Sequence, residues 1–250
     1  MEYKTVVVLA KSNKCSGYCV AGRELYVDND VHSLGPWVRL VSSDKASNGA
    51  IFDRHLQGTT DENVNVLDVV TVPIEGEQII PGQPDNLLID ESDKWTVQGK
   101  VPSMEVSTFI DTPLHLWKQE NVESHVVSPL TDDENHVPQS LYLIKPEALV
   151  FTLSHDWNDF YGRFEKKIRV SFSYNGQQYT NLAMTDPKVK RMLSRQYPKA
   201  GEKEKLKTLL KGDNYYLCVS LSPRFGDQQL HYKIVATVFD FDGYLQGHYR

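Results

Sequence analysis

The most constraining feature of the sequence is an Asn-Gly pair, Asn175-Gly176, between two segments that alternate apolar and polar residues. This dipeptide favours the type I′ turn, in which two residues join neighbouring antiparallel strands. It predicts a β-hairpin formed by residues 168–174 and 178–184. A helix signal follows at residues 185–187, where an N-cap residue precedes a proline in the first turn.

Three further apolar segments of strand length lie in this half, at residues 148–153, 215–221 and 231–239. The resulting order is three strands, a helix and two strands. This order matches a five-stranded OB barrel, whose helix lies between the third and fourth strands. We therefore expect an OB-like barrel in the second half of the chain.

The first half also holds five segments of strand character, bounded by Gly, Pro, Asn and Asp. They are residues 4–10, 17–22, 37–42, 66–72 and 95–101. The helix predicted here, residues 103–117, follows all five strands and so does not match the order of the second half. We expect a mainly β chain of two OB-like five-stranded barrels with one or two short helices. The predicted divisions are an N-terminal barrel at 1–117, a connecting segment at 118–140 and a C-terminal barrel at 141–250.

Six short stretches resemble the motifs of one family, the dual OB-containing domain proteins. They are LAKS (9–12), GYCVAG (17–22), WVRLVS (37–42), TDP (185–187), CVSL (218–221) and YKIVA (232–236). The resemblance runs from residue 4 to about residue 239. It implies two OB-like barrels and a setting in prokaryotic defence or conflict systems, with recognition of nucleic acid or a nucleotide. Leu40 stands where proline is common in the family, which affects a backbone detail and no candidate ligand-binding group.

Positive charge is concentrated in one segment of an otherwise acidic chain. The chain has 27 Lys and Arg and 33 Asp and Glu, yet residues 163–213 hold 13 basic and 5 acidic residues. Aromatic residues follow the same trend, with 17 of 26 after residue 150. This combination is typical of a face that binds polyanions. The alternative is a solvated helix whose lysines only favour solubility.

The basic segment supplies the predicted nucleic-acid face. Its members are Lys166, Lys167 and Arg169 around one strand, Lys188, Arg191 and Arg195 on one helix face, and Tyr174 and Tyr179 for base stacking.

A second predicted ligand site lies in the segment between the first two strands. Lys11, Ser12 and Lys14 offer charge and hydroxyl groups to a phosphate, and Arg39 of the third strand is expected nearby. The alternative is a polar turn. Trp37 is interpreted equally as a stacking surface for a base or as a plug of the barrel.

Several enzyme classes lack their sequence signals. A nuclease core at residues 84–94 would need an acid two residues before Lys94, where Ser92 stands. Cys15 and Cys19 have no second pair of ligands with which to complete a zinc site. Asp240 and Asp242 are more typical of a strand end than of a cation site. There is no P-loop and no Gly-x-Gly-x-x-Gly fingerprint.

The sequence therefore predicts a non-catalytic protein without cofactor or metal that recognises nucleic acid or a nucleotide. One alternative is a protein-interaction adaptor that docks a co-encoded effector, and another is a hydrolase that uses His155 and Asp156. The longest apolar run, residues 6–10, is far too short to span a membrane. Three cysteines favour a reducing compartment, so we expect a cytoplasmic protein that does not bind membranes.

Overall fold

The computed structural model describes residues 2–28, 31–58, 63–117, 126–127, 138–206 and 214–241. The chain is mainly β, with two sheets and short helices, and this confirms the predicted fold class.

Six strands form the first sheet. They are β1 (Glu2–Lys14), β2 (Gly17–Asp28), β3 (Val31–Val41), β4 (Asp68–Glu77), β5 (Asn86–Ile89) and β6 (Thr96–Lys100). The sheet order is β1-β2-β3-β5-β4-β6, and β1 also pairs with β4. This additional pair closes the first five strands into a barrel. β3 and β5 run parallel, whereas the other pairs are antiparallel.

The position of the helix in this barrel differs from the sequence prediction. A single-turn helix, α1 (Asp53–Leu56), lies between β3 and β4, after a 3-10 turn at Lys45–Ser47. The predicted helix at 103–117 is a 3-10 helix at Ser103–Phe109 only. The predicted fifth strand is β6, which pairs with β4 outside the barrel, and β5 is the true fifth strand. A four-residue helix and a four-residue strand are too short to show periodicity.

The second sheet holds the other strands. They are β7 (Val126–Val127), β8 (Leu141–Ile144), β9 (Ala148–Asn158), β10 (Arg163–Tyr174), β11 (Gln177–Met184), β12 (Lys203–Leu206), β13 (Tyr215–Phe225) and β14 (Leu230–Asp240). Its order is β12-β9-β10-β11-β14-β13-β8, with β7 paired to β14. Asn175 and Gly176 join β10 to β11 with φ of 49° and 71°. This confirms the predicted hairpin.

The second sheet repeats the strand order of the first barrel. β9, β10 and β11 form an antiparallel meander, α2 (Pro187–Met192) follows, and β14 then runs parallel to β11 as β5 does to β3. Within the described residues, β9 pairs with β12 and β13 pairs with β8, and no pairing joins β9 to β13. The described part of this sheet is therefore open where the first is closed.

β1 is buried on both of its faces. Val6 and Val8 belong to the core inside the first barrel, whereas Val7 and Leu9 belong to a larger core shared with the second sheet. All four side chains are fully buried. A strand that is covered on both faces has an uninterrupted apolar sequence, which explains the run at residues 6–10. The two sheets therefore meet along a seam that is part of one hydrophobic core.

The segment after β6 also crosses this seam. The Trp117 indole N–H donates to the carbonyl of Ser140 at 3.0 Å, and the Leu116 N–H donates to the hydroxyl of Tyr179 at 3.2 Å. Residues 102–117 thus pack against the second sheet. The division of the chain at residues 117 and 141 remains a prediction.

Candidate anion-binding cavities at the seam

The end of the β1–β2 hairpin lies against the second sheet. The Asn13 N–H donates to the carbonyl of Thr185 at 3.0 Å. Because side chains alternate along a strand, Lys11 lies on one side of this contact, and Ser12 and Lys14 lie on the other. A separate cavity opens on each side.

The first cavity, which we call the cationic cleft, is lined by Lys11, Lys100, Lys188 and Arg191 and has a volume of about 330 Å³. Lys11 comes from β1, Lys100 ends β6, and the other two residues belong to α2. The Lys11 ammonium also lies 4.8 Å from the centre of the Tyr18 ring. The first sheet thus contributes two of the positive side chains, and α2 contributes the other two.

Burial and neighbouring charges shift the pKa values of two lysines in this cleft. Burial lowers the pKa of Lys11, whose Nζ donates to the carbonyl of Val64 at 2.8 Å. Burial also lowers the pKa of Lys188; the carboxylates of Asp186 and Asp68 raise it, and the positive charges of Lys100 and Lys11 lower it. The cleft thus holds four positive side chains against the carboxylate of Asp186 in its wall, and a bound anion would lower the desolvation cost of the lysines.

The carboxylate in the wall of this cleft has a structural role. Asp186 is 2% exposed and caps α2 by accepting the N–H groups of Lys188 at 2.7 Å and Val189 at 3.4 Å. Its other oxygen accepts the N–H of Val238 at 3.0 Å. Burial raises the pKa of Asp186. Asp186 is therefore engaged with backbone donors.

The second cavity, which we call the seam cavity, has a volume of about 360 Å³. Three cations line it: Lys14 from β1, Arg39 from β3 and Arg169 from β10. Cys15 and Cys19 of the hairpin lie at the same cavity, opposite apolar side chains of β11 and β14. Of the described residues that line it, none carries a carboxylate.

Arg39 holds the two sheets together from this cavity. It is 2% exposed, and its Nη2 donates to the hydroxyls of Ser140 at 2.5 Å and Ser220 at 3.0 Å. Its Nη1 lies 3.7 Å from the sulfur of Cys19. Ser140 in turn donates to the carboxylate of Asp85. Within the described part of the chain, the Arg39 guanidinium therefore contacts uncharged side chains, and the carboxylate of Asp85 is linked to it through Ser140.

Trp37 lies in the shared core and not at either cavity. It is 4% exposed, and its indole N–H donates to Asp111 at 2.9 Å. A buried ring has no open face on which a base could stack. This burial contradicts the interpretation of Trp37 as a stacking surface. Trp37 is not a plug of the barrel either, because it packs in the core shared with the second sheet and not in the core inside the barrel.

The cations of the predicted nucleic-acid face do not lie along one groove. Lys188 and Arg191 line the cationic cleft, whereas Arg169 lines the seam cavity. The Lys166 ammonium lies 5.1 Å from the centre of the Tyr197 ring. Lys167 is partly exposed and Arg195 is exposed. The structure instead brings Lys11 of the predicted loop site to Lys188 and Arg191.

The two tyrosines predicted to stack bases are core residues. Tyr174 is 7% exposed, and its hydroxyl donates to the carbonyl of Pro113 at 3.0 Å. Tyr179 is 1% exposed and stacks on Phe172 with ring centres 5.1 Å apart. The stacking role predicted for both is corrected by their burial, because both alternate into the apolar face of the second sheet.

Sequence reasoning missed an exposed group of aromatic side chains at the tip of the β9–β10 hairpin, which we call the aromatic hairpin. Trp157, Phe160, Tyr161 and Phe164 are 52%, 86%, 60% and 43% exposed. Trp157 and Phe164 are cross-strand neighbours with ring centres 5.2 Å apart. Four aromatic residues among the eight at 157–164 are the sequence signal. Alone, that signal does not separate a core from a surface cluster.

The structure does not assemble the predicted hydrolase group. The Ser154 hydroxyl donates to Asp156 at 2.6 Å, but His155 lies between them on β9 and so faces the other side of the strand. The His155 ring packs edge-on against Phe164 at 5.5 Å. These three residues are consecutive on one strand, so the side chain of His155 cannot lie between those of Ser154 and Asp156. They therefore cannot form the hydrogen-bonded chain of a nucleophile, a base and an orienting acid.

The structure also bears on the segments considered for nuclease activity and for metal binding. Asp90 accepts the backbone N–H and the hydroxyl of Ser92, which makes the segment before Lys94 a turn. In the described parts of the chain, no three His, Cys, Asp or Glu side chains approach closely enough to hold a metal ion. Asp240 ends β14 and is fully buried, and Asp242 lies outside the described residues. None of the helices in the described ranges is long and apolar enough to cross a membrane.

Comparison with known proteins gives one match. The family model described as the dual OB-containing domain matches residues 4–238, which include both sheets. No curated protein and no solved structure matches the chain.

Proposed function

The chain belongs to the dual OB-containing domain family, and on that premise we propose that it is a non-catalytic protein that recognises nucleic acid or a nucleotide through its phosphate groups. OB folds typically bind nucleic acids or other ligands. A setting in a prokaryotic defence system, which the family resemblance implies, is part of the same proposal.

The observation that carries this proposal is the convergence of Lys11, Lys100, Lys188 and Arg191 on the cationic cleft. These residues come from three distant parts of the sequence, and the charge of the chain as a whole is −6. A local positive field in an acidic protein attracts a polyanion to one place and repels it elsewhere. Phosphate contacts of this kind fix the position of a strand without reading its bases.

The test is the salt dependence of binding to a labelled single-stranded oligonucleotide of about 32 nucleotides, long enough for two OB units that cover about 4–16 each. Each phosphate contact contributes about 0.7 to the slope of log affinity against log salt for single strands. Four contacts therefore predict a slope of about −3 for the native protein. The double variant Lys188→Glu/Arg191→Glu removes two contacts and should flatten the slope by about 1.4.

A matched control keeps the change of net charge the same. Lys94 and Lys145 are exposed and lie outside both cavities, so Lys94→Glu/Lys145→Glu should retain the native slope. Equal loss of binding in the two double variants would show that only overall charge matters. That result would remove the cationic cleft as the site.

The alternative function is an adaptor that docks a co-encoded effector, and the aromatic hairpin favours it. Exposed aromatic rings of this extent are typical of interaction surfaces. The double variant Trp157→Ala/Phe160→Ala separates the two functions. Retained oligonucleotide affinity together with loss of a complex with the purified co-encoded protein supports the adaptor. Weaker oligonucleotide binding, by about 1–3 kcal/mol for each lost stacking contact, supports a nucleic-acid surface that includes this hairpin.

A further inference from the structure

The seam cavity has the size of a small-molecule site. Its volume of about 360 Å³ lies at the lower end of the range of roughly 300–1,000 Å³ that is usual for ligand pockets. It shares no lining residue with the cationic cleft, and the Asn13–Thr185 hydrogen bond lies between the two. A ligand here is separate from a strand bound at the cleft.

The charges of this cavity are those of a site for an anion. Burial lowers the pKa of Lys14; Cys19 and Cys15 raise it, and the positive charge of Arg39 lowers it. Burial also lowers the pKa of Arg169. Asp156, which acts on Arg169 from outside the cavity, already accepts a hydrogen bond from Ser154. Among the described residues, the side chains of Lys14 and Arg169 have no hydrogen-bond or ion-pair partner, so both are available to a ligand.

Arg39 is a buried cation that has no carboxylate in direct contact among the described residues, which is a second and independent sign of an anion site. Its side chain is almost fully buried, and its Nε has no hydrogen-bond partner. A buried guanidinium is normally compensated by a carboxylate in direct contact, because an uncompensated charge is costly away from water. Here the hydrogen-bond partners are two hydroxyls and a sulfur. An anion in the cavity would supply the missing compensation.

One wall of the cavity is largely apolar, and Arg169 lies at its edge as the register partner of Ala183. Ala183 and Ile234 are register partners on β11 and β14, and both line the cavity. Phe225 and Tyr232 also line it, with ring centres 6.1 Å apart. A flat apolar body would bury its surface against this wall while an attached anionic group faces the three cations.

From this combination we propose that the seam cavity binds a nucleoside monophosphate, with the phosphate at Lys14, Arg39 and Arg169 and the base against the apolar wall. The proposal rests on the proposed function in its choice of nucleotides as the ligand class. It adds a second site, which takes a single nucleotide rather than a strand.

Calorimetric titration with adenosine monophosphate tests this, with adenosine and inorganic phosphate as separate probes. Each fragment should bind at least about tenfold more weakly than the nucleotide, because each makes only one set of contacts. Arg169→Gln should weaken nucleotide binding by about tenfold or more through loss of a charge-assisted contact. Lys14→Gln is a second variant with the same expectation.

Lys166→Gln is the matched control. It removes a positive charge three residues from Arg169 on the opposite face of β10, away from the seam cavity, and should leave affinity unchanged. Melting temperatures of all variants report whether they fold. Equal weakening by Arg169→Gln and Lys166→Gln, or no heat of binding at millimolar nucleotide, would overturn the proposal.

The location of the nucleotide can be read from Cys15, which is exposed and lines the cavity, whereas Cys218 is buried. Bound nucleotide should slow alkylation of Cys15 by N-ethylmaleimide, measured by peptide mass spectrometry, and unchanged alkylation would contradict the assigned site. The variant Lys188→Glu/Arg191→Glu should keep nucleotide affinity while it loses oligonucleotide affinity. Nucleotide binding without any oligonucleotide binding would refute the cleft and support the cavity, and the reverse pattern would refute the cavity alone.

Discussion

Replacement of Asp111 tests how the two sheets are joined. The Asp111 carboxylate accepts hydrogen bonds from Arg23 Nη1 at 3.0 Å, Trp37 Nε1 at 2.9 Å and the Leu143 N–H at 2.8 Å. Arg23 and Trp37 belong to the first barrel and Leu143 to β8 of the second sheet. Asp111→Ala leaves all three donors without this acceptor.

The loss of unfolding free energy depends on whether each of the three donors has another acceptor. A buried donor without a partner costs about 1–3 kcal/mol, and the donors of Trp37 and Leu143 belong to residues that are 4% and 0% exposed. Arg23 is partly accessible and also donates to the carbonyl of Gly35, so it loses less. The expected loss of unfolding free energy is about 3–5 kcal/mol for Asp111→Ala. At about 2–4 °C per kcal/mol for a chain of this size, the melting temperature should fall by about 10 °C.

Asp111→Asn distinguishes the contribution of the hydrogen-bond acceptor from that of the negative charge, because it keeps an acceptor oxygen and removes the charge. Its amide oxygen can replace the oxygen that accepts from Trp37 and Leu143, so only the Arg23 ion pair is lost. Burial raises the pKa of Asp111, so the ionised carboxylate carries a desolvation cost that asparagine avoids. We expect Asp111→Asn to change stability by less than about 1 kcal/mol at pH 7. Urea unfolding of both variants measures the contrast.

The pH dependence has a definite sign. A raised pKa means that the folded state binds more protons than the unfolded state between 3.8 and the native value, so this group's contribution to stability falls as the pH rises. The native protein should therefore lose stability relative to Asp111→Asn between about pH 4 and pH 7. If Asp111→Asn proves as damaging as Asp111→Ala at pH 7, the ion pair with Arg23 stabilises the seam and the present reasoning is refuted.

Two further predictions concern buried charged groups. Lys233 is 1% exposed, and burial lowers its pKa from 10.5 to about 8; the folded state therefore binds fewer protons than the unfolded state between these values. Lys233→Met should therefore stabilise the protein at pH 7 by at most about 3 kcal/mol. This stabilisation should vanish as the pH approaches 10.5. A stability difference that stays constant from pH 7 to pH 10.5 would contradict the prediction. Asp186→Ala removes the cap of α2 and the acceptor of the Val238 N–H, so we expect a loss of about 2–4 kcal/mol. Chemical unfolding measures this loss, and one below about 1 kcal/mol would show that water replaces the carboxylate.

The sequence did not separate aromatic residues of the core from aromatic residues of a binding surface, because the same residue types occur in both. Tyr174 and Tyr179 were predicted to stack bases, and Trp37 was interpreted equally as a stacking surface or a plug of the barrel. All three pack in the shared core, whereas exposed rings lie at Trp157 and Phe160. Alternation along a strand places side chains on two faces, but it does not say which face another sheet covers. For the same reason the sequence did not predict where the basic residues of 163–213 lie on the folded surface. They divide between the two cavities and the open surface.

The elements that the sequence determined by itself are those with short-range causes. The Asn175-Gly176 turn and the cap and proline that start α2 depend on residues within a few positions, and the structure has both as expected. The small elements α1 and β5 had no such signal, because four residues do not show a period. Their positions follow from closure of the barrel, in which β5 completes the sheet between β3 and β4.

Tertiary structure alone decided where the candidate sites lie. Lys11 and Lys188 are remote in sequence and meet only because the β1–β2 hairpin contacts the turn between β11 and α2. Arg39 was predicted as a ligand-binding residue from its strand position, but its burial against Ser140 and Ser220 requires the second sheet. The physical reason is that local hydrogen bonding and steric preference act over a few residues, whereas burial and the meeting of charges depend on which surfaces the folded chain brings together.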